Sequence, residues 1–124
     1  MKRTVTLVLS LLLVFGFALA GCGTANNEVS EGVNKMLDTT DQLAKAIDSG
    51  DQAKVKEVGP KLEEQWKVFE DQVKKQDKDL YEKIEKYLDP TIAGSQATPL
   101  DKQALGNLNQ QLTDALKVLQ AKTK

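Results

Sequence analysis

Apolar residues recur at every third or fourth position along most of the chain, from Val29 to Leu119. This spacing places them on one face of an α-helix, whereas a half-buried β-strand alternates apolar and polar residues. No stretch of the sequence alternates in that way over a useful length. The sequence therefore predicts an all-α protein in which four amphipathic helices, joined by mostly short connections, form an up-down-up-down four-helix bundle.

Residues that stop or cap helices set the expected limits of the first two helices. The first helix is predicted over residues 28–49, because the glycine that follows, Gly50, is a common C-terminal stop. Asp51 is expected to cap the second helix. Pro60 lies inside that helix and lacks a backbone donor, so we expect a kink or a break at Val58-Gly59.

The longest expected loop separates the last two helices. The third helix is predicted over about residues 78–88, because Asp89-Pro90 ends it. Residues 91–97 contain glycine and serine and are interpreted as a loop. Thr98-Pro99-Leu100-Asp101 resembles a capped helix start with proline at the first helical position. The fourth helix is therefore predicted to begin there and to run to near the C-terminus.

The start of the chain has the pattern of a secretory signal. Lys2 and Arg3 precede an almost wholly apolar run over residues 4–20. The tetrapeptide Leu19-Ala20-Gly21-Cys22 looks like the lipobox of bacterial lipoproteins. This resemblance implies cleavage before Cys22 and attachment of acyl chains to it, which would hold the protein in membrane lipid on the extracytoplasmic face of the cell membrane. The alternative is an uncleaved anchor, although the run is at the short limit of the about 20 apolar residues that span a bilayer.

This signal divides the chain into three parts. Residues 1–21 are assigned to the lipoprotein signal peptide, residues 22–27 to a lipidated tether and residues 28–124 to the four-helix bundle domain. Without Lys2 and Arg3, 15 basic residues remain against 18 acidic ones, a formal charge of −3. We therefore expect no nucleic-acid partner, since nucleic-acid binding needs a concentrated basic surface.

The composition also excludes several kinds of chemistry. Cys22 is the only cysteine, and the chain has no histidine. Catalytic triads, thiolate metal sites and the usual zinc sites are therefore excluded from the mature chain. We expect no enzymatic activity, and carboxylates are the only plentiful ligands.

An aromatic residue and a glutamate recur in the same order fifteen positions apart, as Trp66 with Glu70 and as Tyr81 with Glu85. Within each pair the spacing of four places both residues on one helix face. Asp77 lies midway between the pairs and is a plausible N-cap. If the chain turns there, the two glutamates face each other at similar height in a helical hairpin.

The competing interpretation is one unbroken helix over residues 61–88, since the sequence has no glycine or proline there. The two glutamates would then lie more than about 20 Å apart at 1.5 Å per residue. We favour the turn. In that arrangement Glu70, Asp71 and Glu85 are the candidate ligands for a hard cation such as iron, with Trp66 and Tyr81 as aromatic support. The simpler alternative is that these glutamates pair with nearby lysines or face water.

Residues 46–119 resemble the extracytoplasmic helical domain that is associated with bacterial iron permeases of the high-affinity family shared with yeast. The similarity lies in four places: Ser49-Gly50-Asp51, Trp66 with Phe69-Glu70-Asp71, Leu80-Tyr81 with Ile84-Glu85, and the leucine-rich last helix. The resemblance implies help in capturing or passing iron, with Glu70 and Glu85 as the matching acids and Asp71 beside the first. The chain departs from the family in Pro60, in the open loop expected over residues 89–98 and in having no permease segment of its own.

These observations together predict a lipid-anchored, non-enzymatic accessory in iron uptake, with an iron permease as the expected partner. The alternative is a structural or protein-interaction lipoprotein of the cell envelope with no metal site. A third class, a binder of an apolar small molecule within the bundle, has less support from the sequence.

Overall fold

The computed structural model describes residues 21–124, and it contains four α-helices. They are α1 (Gly21–Ser49), α2 (Gln52–Gln76), α3 (Lys78–Ser95) and α4 (Lys102–Lys122). Each helix packs against the next along the chain, and α4 packs back against α1. The described residues contain no strand. The predicted all-α four-helix bundle is therefore confirmed.

The core is one continuous cluster of buried apolar side chains that come from all four helices. Its largest fully buried members are Trp66, Phe69, Met36, Leu43, Ile47, Leu62, Ile84, Leu88, Leu112 and Leu116. Because every helix contributes to the same core, removing any helix would expose the apolar faces of its two neighbours. The described residues therefore make one complete folding unit.

A single residue, Asp77, separates α2 from α3. Its backbone N–H donates to the carbonyl of Val73 at 2.8 Å, and its Oδ1 accepts from the backbone N–H of Leu80 at 3.0 Å. Asp77 therefore ends one helix and caps the next. The predicted turn is confirmed, and the continuous helix over residues 61–88 is wrong.

The first helix begins at Gly21, seven residues before the predicted start at residue 28. Residues 23–27, interpreted from the sequence as part of a tether, are thus helical. α2 is 25 residues long, so the antiparallel α1 needs a similar length to cover it. Side chains across the pair support this register, because Gln72 donates to Glu28 at 2.8 Å and Gln76 donates to Asn26 at 3.4 Å.

The break expected at Pro60 is not present, since α2 runs without interruption from Gln52 to Gln76. In a regular helix the N–H of residue 60 would donate to the carbonyl of Lys56. Proline has no such donor. The Nε2 of Gln96, which follows α3, donates to that carbonyl instead, at 3.1 Å. A side chain from a distant part of the chain therefore replaces the missing backbone hydrogen bond.

The predicted end of the third helix at Asp89-Pro90 is also wrong, because α3 continues to Ser95. Leu88, Thr91 and Ser95 are fully buried and continue the inward face of the helix beyond the proline. The small residues interpreted as a loop are needed for close packing. A Cβ added at Gly59 of α2 would overlap the side chain of Ser95.

The predicted cap of the fourth helix at Thr98 is wrong, because Asp101 occupies that position. The Oδ1 of Asp101 accepts from the backbone N–H of Ala104 at 2.9 Å. The hydroxyl of Thr98 instead accepts from Gln52 at 2.9 Å and from Lys56 at 2.6 Å. These contacts hold the connection between α3 and α4 against the start of α2.

The apolar run over residues 4–20 lies outside the described residues. Within residues 21–124, no helix is long and apolar enough to cross a membrane.

We predict that Gly59→Ala destabilises the bundle, because the added methyl group has no room beside Ser95. Overpacking of this kind costs about 1–3 kcal/mol in the free energy of unfolding, measurable by urea denaturation. Gly106→Ala is the matched control, since nothing lies within 4 Å of a Cβ at that position of α4. The control should be more stable than the parent by about 0.5–1 kcal/mol, the usual gain from replacing a helical glycine. Equal effects at the two positions would contradict the close approach of α2 and α3.

We also predict that Gln96→Ala costs about 0.5–1 kcal/mol, because it leaves the Lys56 carbonyl without a donor. In a Pro60→Ala background the N–H of residue 60 supplies that hydrogen bond, so Gln96→Ala should cost much less. A double-mutant cycle measured by denaturation gives the coupling energy directly. Additive effects would show that Gln96 does not compensate for the proline.

Candidate functional site

The turn at Asp77 brings Glu70 of α2 and Glu85 of α3 into electrostatic contact. The pKa of the Glu70 carboxyl is raised, first by partial burial and then by the negative charges of Glu85, Asp71 and Glu63. Lys67 acts in the opposite direction, with a smaller effect. The charge of Glu85 is the largest of these neighbouring contributions, which agrees with the opposed positions that the sequence predicts for the two glutamates.

Neither glutamate forms an ion pair with a lysine in the described part of the chain. The sequence places Lys67 and Lys74 one helical turn from Glu70. Lys67 instead pairs with Glu63 at 3.0 Å, and the Nζ of Lys74 lies over the ring of Tyr81, 5.1 Å from its centroid. The pair of glutamates is therefore left without a neutralising partner.

The raised pKa of Glu70 has a consequence for folding. A carboxyl whose pKa is higher in the folded than in the unfolded state binds its proton more tightly after folding. Stability therefore falls as the pH rises from the unfolded pKa through the folded one. At neutral pH the ionised Glu70 opposes folding, and a cation beside it would relieve that repulsion.

The indole of Trp66 fixes the position of Glu85. Its Nε1–H donates to the Oε1 of Glu85, and the side chain of Trp66 is buried. A buried indole N–H usually needs such a partner. Glu85 thus serves the core as well as the candidate site.

The aromatic residues of the two sequence repeats pack together beside this hydrogen bond. The rings of Trp66 and Tyr81 are stacked, with centroids 5.8 Å apart and an interplanar angle of 23°. Phe69 meets Trp66 edge to face at 5.3 Å. The pKa of Tyr81 is raised by burial and then by the charges of Glu85, Glu70 and Asp71. The aromatic cluster therefore forms an apolar wall beside the glutamates.

The third candidate ligand, Asp71, lies on the exposed side of α2 next to Glu70. Its charge reaches Glu70 and Tyr81, as their raised pKa values show. However, within residues 21–124 no three acidic, histidine or cysteine side chains come together in a way that could hold a metal ion. Glu70, Asp71 and Glu85 are therefore not brought together as a three-residue set of metal ligands.

The sequence indicates Lys74 only as a possible partner of Glu70, and not as a neighbour of Tyr81. Its interaction is with the ring of Tyr81 on the neighbouring helix, and no spacing within α2 indicates that contact. Only the packing of α2 against α3 determines it.

Comparisons with known proteins identify no relative of this chain. No family model matches the chain, and searches of the curated proteins and of the solved structures find no match either. The resemblance to the helical domain of iron permeases thus stays a prediction from the residues named for it.

We predict that Glu85→Ala destabilises the protein by about 1–3 kcal/mol, because it leaves the buried indole N–H of Trp66 without an acceptor. Glu85→Gln keeps an acceptor oxygen at the same place and should cost less. Thermal unfolding followed by circular dichroism measures both. If the two variants were equally stable, the hydrogen bond to Trp66 would have no role in stability.

Proposed function

We propose that the protein is a lipid-anchored lipoprotein on the extracytoplasmic face of the membrane that assists iron uptake by binding the cation between Glu70 and Glu85. Two observations support this proposal: the charge of Glu85 raises the pKa of Glu70, and neither glutamate forms an ion pair within residues 21–124. Two like charges held together in a partly buried place raise the free energy of the ionised state. A multivalent cation is the ligand that would lower it most.

Carboxylate oxygens suit hard cations such as ferric iron, calcium or manganese. Two carboxylates supply only part of the coordination that such ions require, so water, a small chelator or a partner protein would supply the rest. An incomplete site of this kind holds a cation weakly and releases it readily. That behaviour fits an accessory that passes iron to a permease better than it fits storage.

The location follows from the sequence motif that ends in Cys22. Acyl chains on that residue would anchor the bundle by its first helix, because α1 begins at Gly21. Two or three acyl chains give stable membrane attachment, since each buried methylene contributes about 0.8 kcal/mol. In this proposal the protein has no enzymatic activity, and its partners are membrane lipid and an iron permease.

A second candidate function is a protein-interaction lipoprotein with no metal site. The hydrogen bond from Trp66 to Glu85 favours it, because that bond gives Glu85 a structural role that requires no cation. The two candidates differ in whether the carboxylate pair binds a cation at all.

The test is calorimetric titration of residues 23–124 with chelate-buffered ferric iron, then ferrous iron, then calcium. We expect saturable binding that Glu70→Gln and Glu85→Gln each weaken by about tenfold or more, since each removes one ligand charge. Glutamine is preferred to alanine at residue 85 because it retains an acceptor for Trp66.

Glu82→Gln is the matched control. It makes the same change of charge on α3, but Glu82 is exposed and pairs with Lys78 at 3.6 Å. Its affinity for the cation should equal that of the parent. If the folded protein bound none of the three cations, or if Glu82→Gln weakened binding as much as the other two variants, the carboxylate site would be rejected and the second candidate favoured.

A further inference from the structure

A shallow groove of about 220 Å³ runs between α1 and α2 on a face that the candidate cation site does not use. It is lined by Glu28, Glu31, Gly32, Lys35, Glu64, Gln65 and Val68. Most of its surface is apolar although four of these residues are charged. The groove therefore combines an apolar floor with a charged rim, which is the character of a peptide-binding groove.

The floor exists because two helices approach closely beneath it. Gly32 of α1 has no side chain, and a Cβ at that position would overlap the ring of Phe69 on α2. Phe69 is buried at this contact, whereas Val68, the residue before it in α2, is exposed. Val68 is 63% exposed, and it is the most exposed of the large apolar side chains in the described residues. An isolated exposed valine is ordinary, but one that lines an apolar groove marks a binding surface.

The rim is acidic. Three glutamates, Glu28, Glu31 and Glu64, face one lysine, Lys35, which leaves a formal charge of −2. None of the four forms an ion pair within residues 21–124, and Glu28 accepts only from the neutral amide of Gln72. This charge favours a cationic occupant.

The charge also disfavours two other occupants. A second copy docked by two-fold symmetry would set the same acidic rim against itself. A membrane surface rich in anionic lipid would be repelled by the three glutamates. A positively charged helix with an apolar face satisfies both parts of the groove, because its apolar side chains can cover Val68 while its lysines or arginines meet the rim.

We propose that this groove binds a cationic amphipathic helix of a membrane-associated protein partner. The place of the groove along α1 supports such a partner, and this step rests on the lipid anchor of the proposed function. Glu28 and Glu31 lie six and nine residues after Cys22 on the same helix, or about 9 and 14 Å along its axis. The occupant would thus lie close to the membrane surface.

The test uses residues 23–124 labelled with ¹⁵N and a synthetic peptide of about 18 residues, five helical turns, with leucines on one face and lysines on the other. Amide shifts recorded during titration locate the site and give the affinity. We expect saturable binding, with the largest shifts around Gly32 and Val68. Val68→Ser should weaken binding about fivefold to tenfold, as expected for the loss of one partly buried apolar contact.

Val118→Ser is the matched control, because Val118 is the other exposed large apolar residue among those described, at 44%, and it lies on α4 outside the groove. It should bind the peptide like the parent. Replacing Glu31 and Glu64 together by glutamine should weaken binding and reduce its dependence on salt. A peptide with glutamate in place of lysine should not bind.

The proposal would be overturned if the lysine-containing peptide did not bind, or if it bound no more tightly than the acidic peptide. Equal losses for Val68→Ser and Val118→Ser, largest shifts around Glu70 and Glu85, or dimerisation of the protein alone that Val68→Ser abolishes would also overturn it. Vesicles of anionic lipid should leave the shifts of Gly32 and Val68 unchanged, and a response there would assign the groove to lipid instead. No cation and no lipid anchor are needed for the peptide titration, so its failure and the failure of iron binding can be told apart.

Discussion

Asp77 is the residue on which both the hairpin and the candidate site depend. It closes the last turn of α2 through its backbone, caps α3 through Oδ1, and receives the ammonium group of Lys122 from α4 on Oδ2. The pKa of its carboxyl is lowered, first by the hydrogen bond from Lys122 and then by the one from Leu80. With one residue in the turn, α3 must pack directly back along α2. The two halves of the sequence repeat are thereby placed opposite each other.

Close packing of the other end of the bundle depends on small residues and on a hydrogen bond between distant segments. Gly59 and Ser95 let α2 and α3 approach near the proline of α2, and Gln96 supplies the donor that this proline lacks. Thr98 then receives hydrogen bonds from Gln52 and Lys56. Pro60 therefore lies inside α2 without ending it, because a tertiary hydrogen bond replaces the backbone one that the proline lacks.

The second helix carries two surfaces of different character. Toward α3 it presents the buried indole of Trp66 and the carboxyl of Glu70, whose pKa is raised by burial and by the charge of Glu85. Toward α1 it presents the exposed Val68 beside an acidic rim. Both surfaces are acidic, and both proposals name a cationic ligand. They differ in the size of the ligand, since one place holds two carboxylates and the other an apolar groove.

The sequence by itself determined the helical class, the four-helix architecture, the caps at Asp51 and Asp77, the stop at Gly50 and the turn between the helices of Glu70 and Glu85. All of these follow from interactions within one helix or one turn, whose range is three to four residues. What it did not determine were the continuation of helices through Pro60 and Pro90, the early start of α1 and the destinations of Lys74 and Gln96. Each of these features depends on residues far away in the sequence, which supply a hydrogen-bond donor, an aromatic ring or room for a side chain. Only the packing of the four helices decided them, because helix propensities differ by less than about 1 kcal/mol for ordinary residues and even the about 3 kcal/mol cost of a proline inside a helix can be offset by packing.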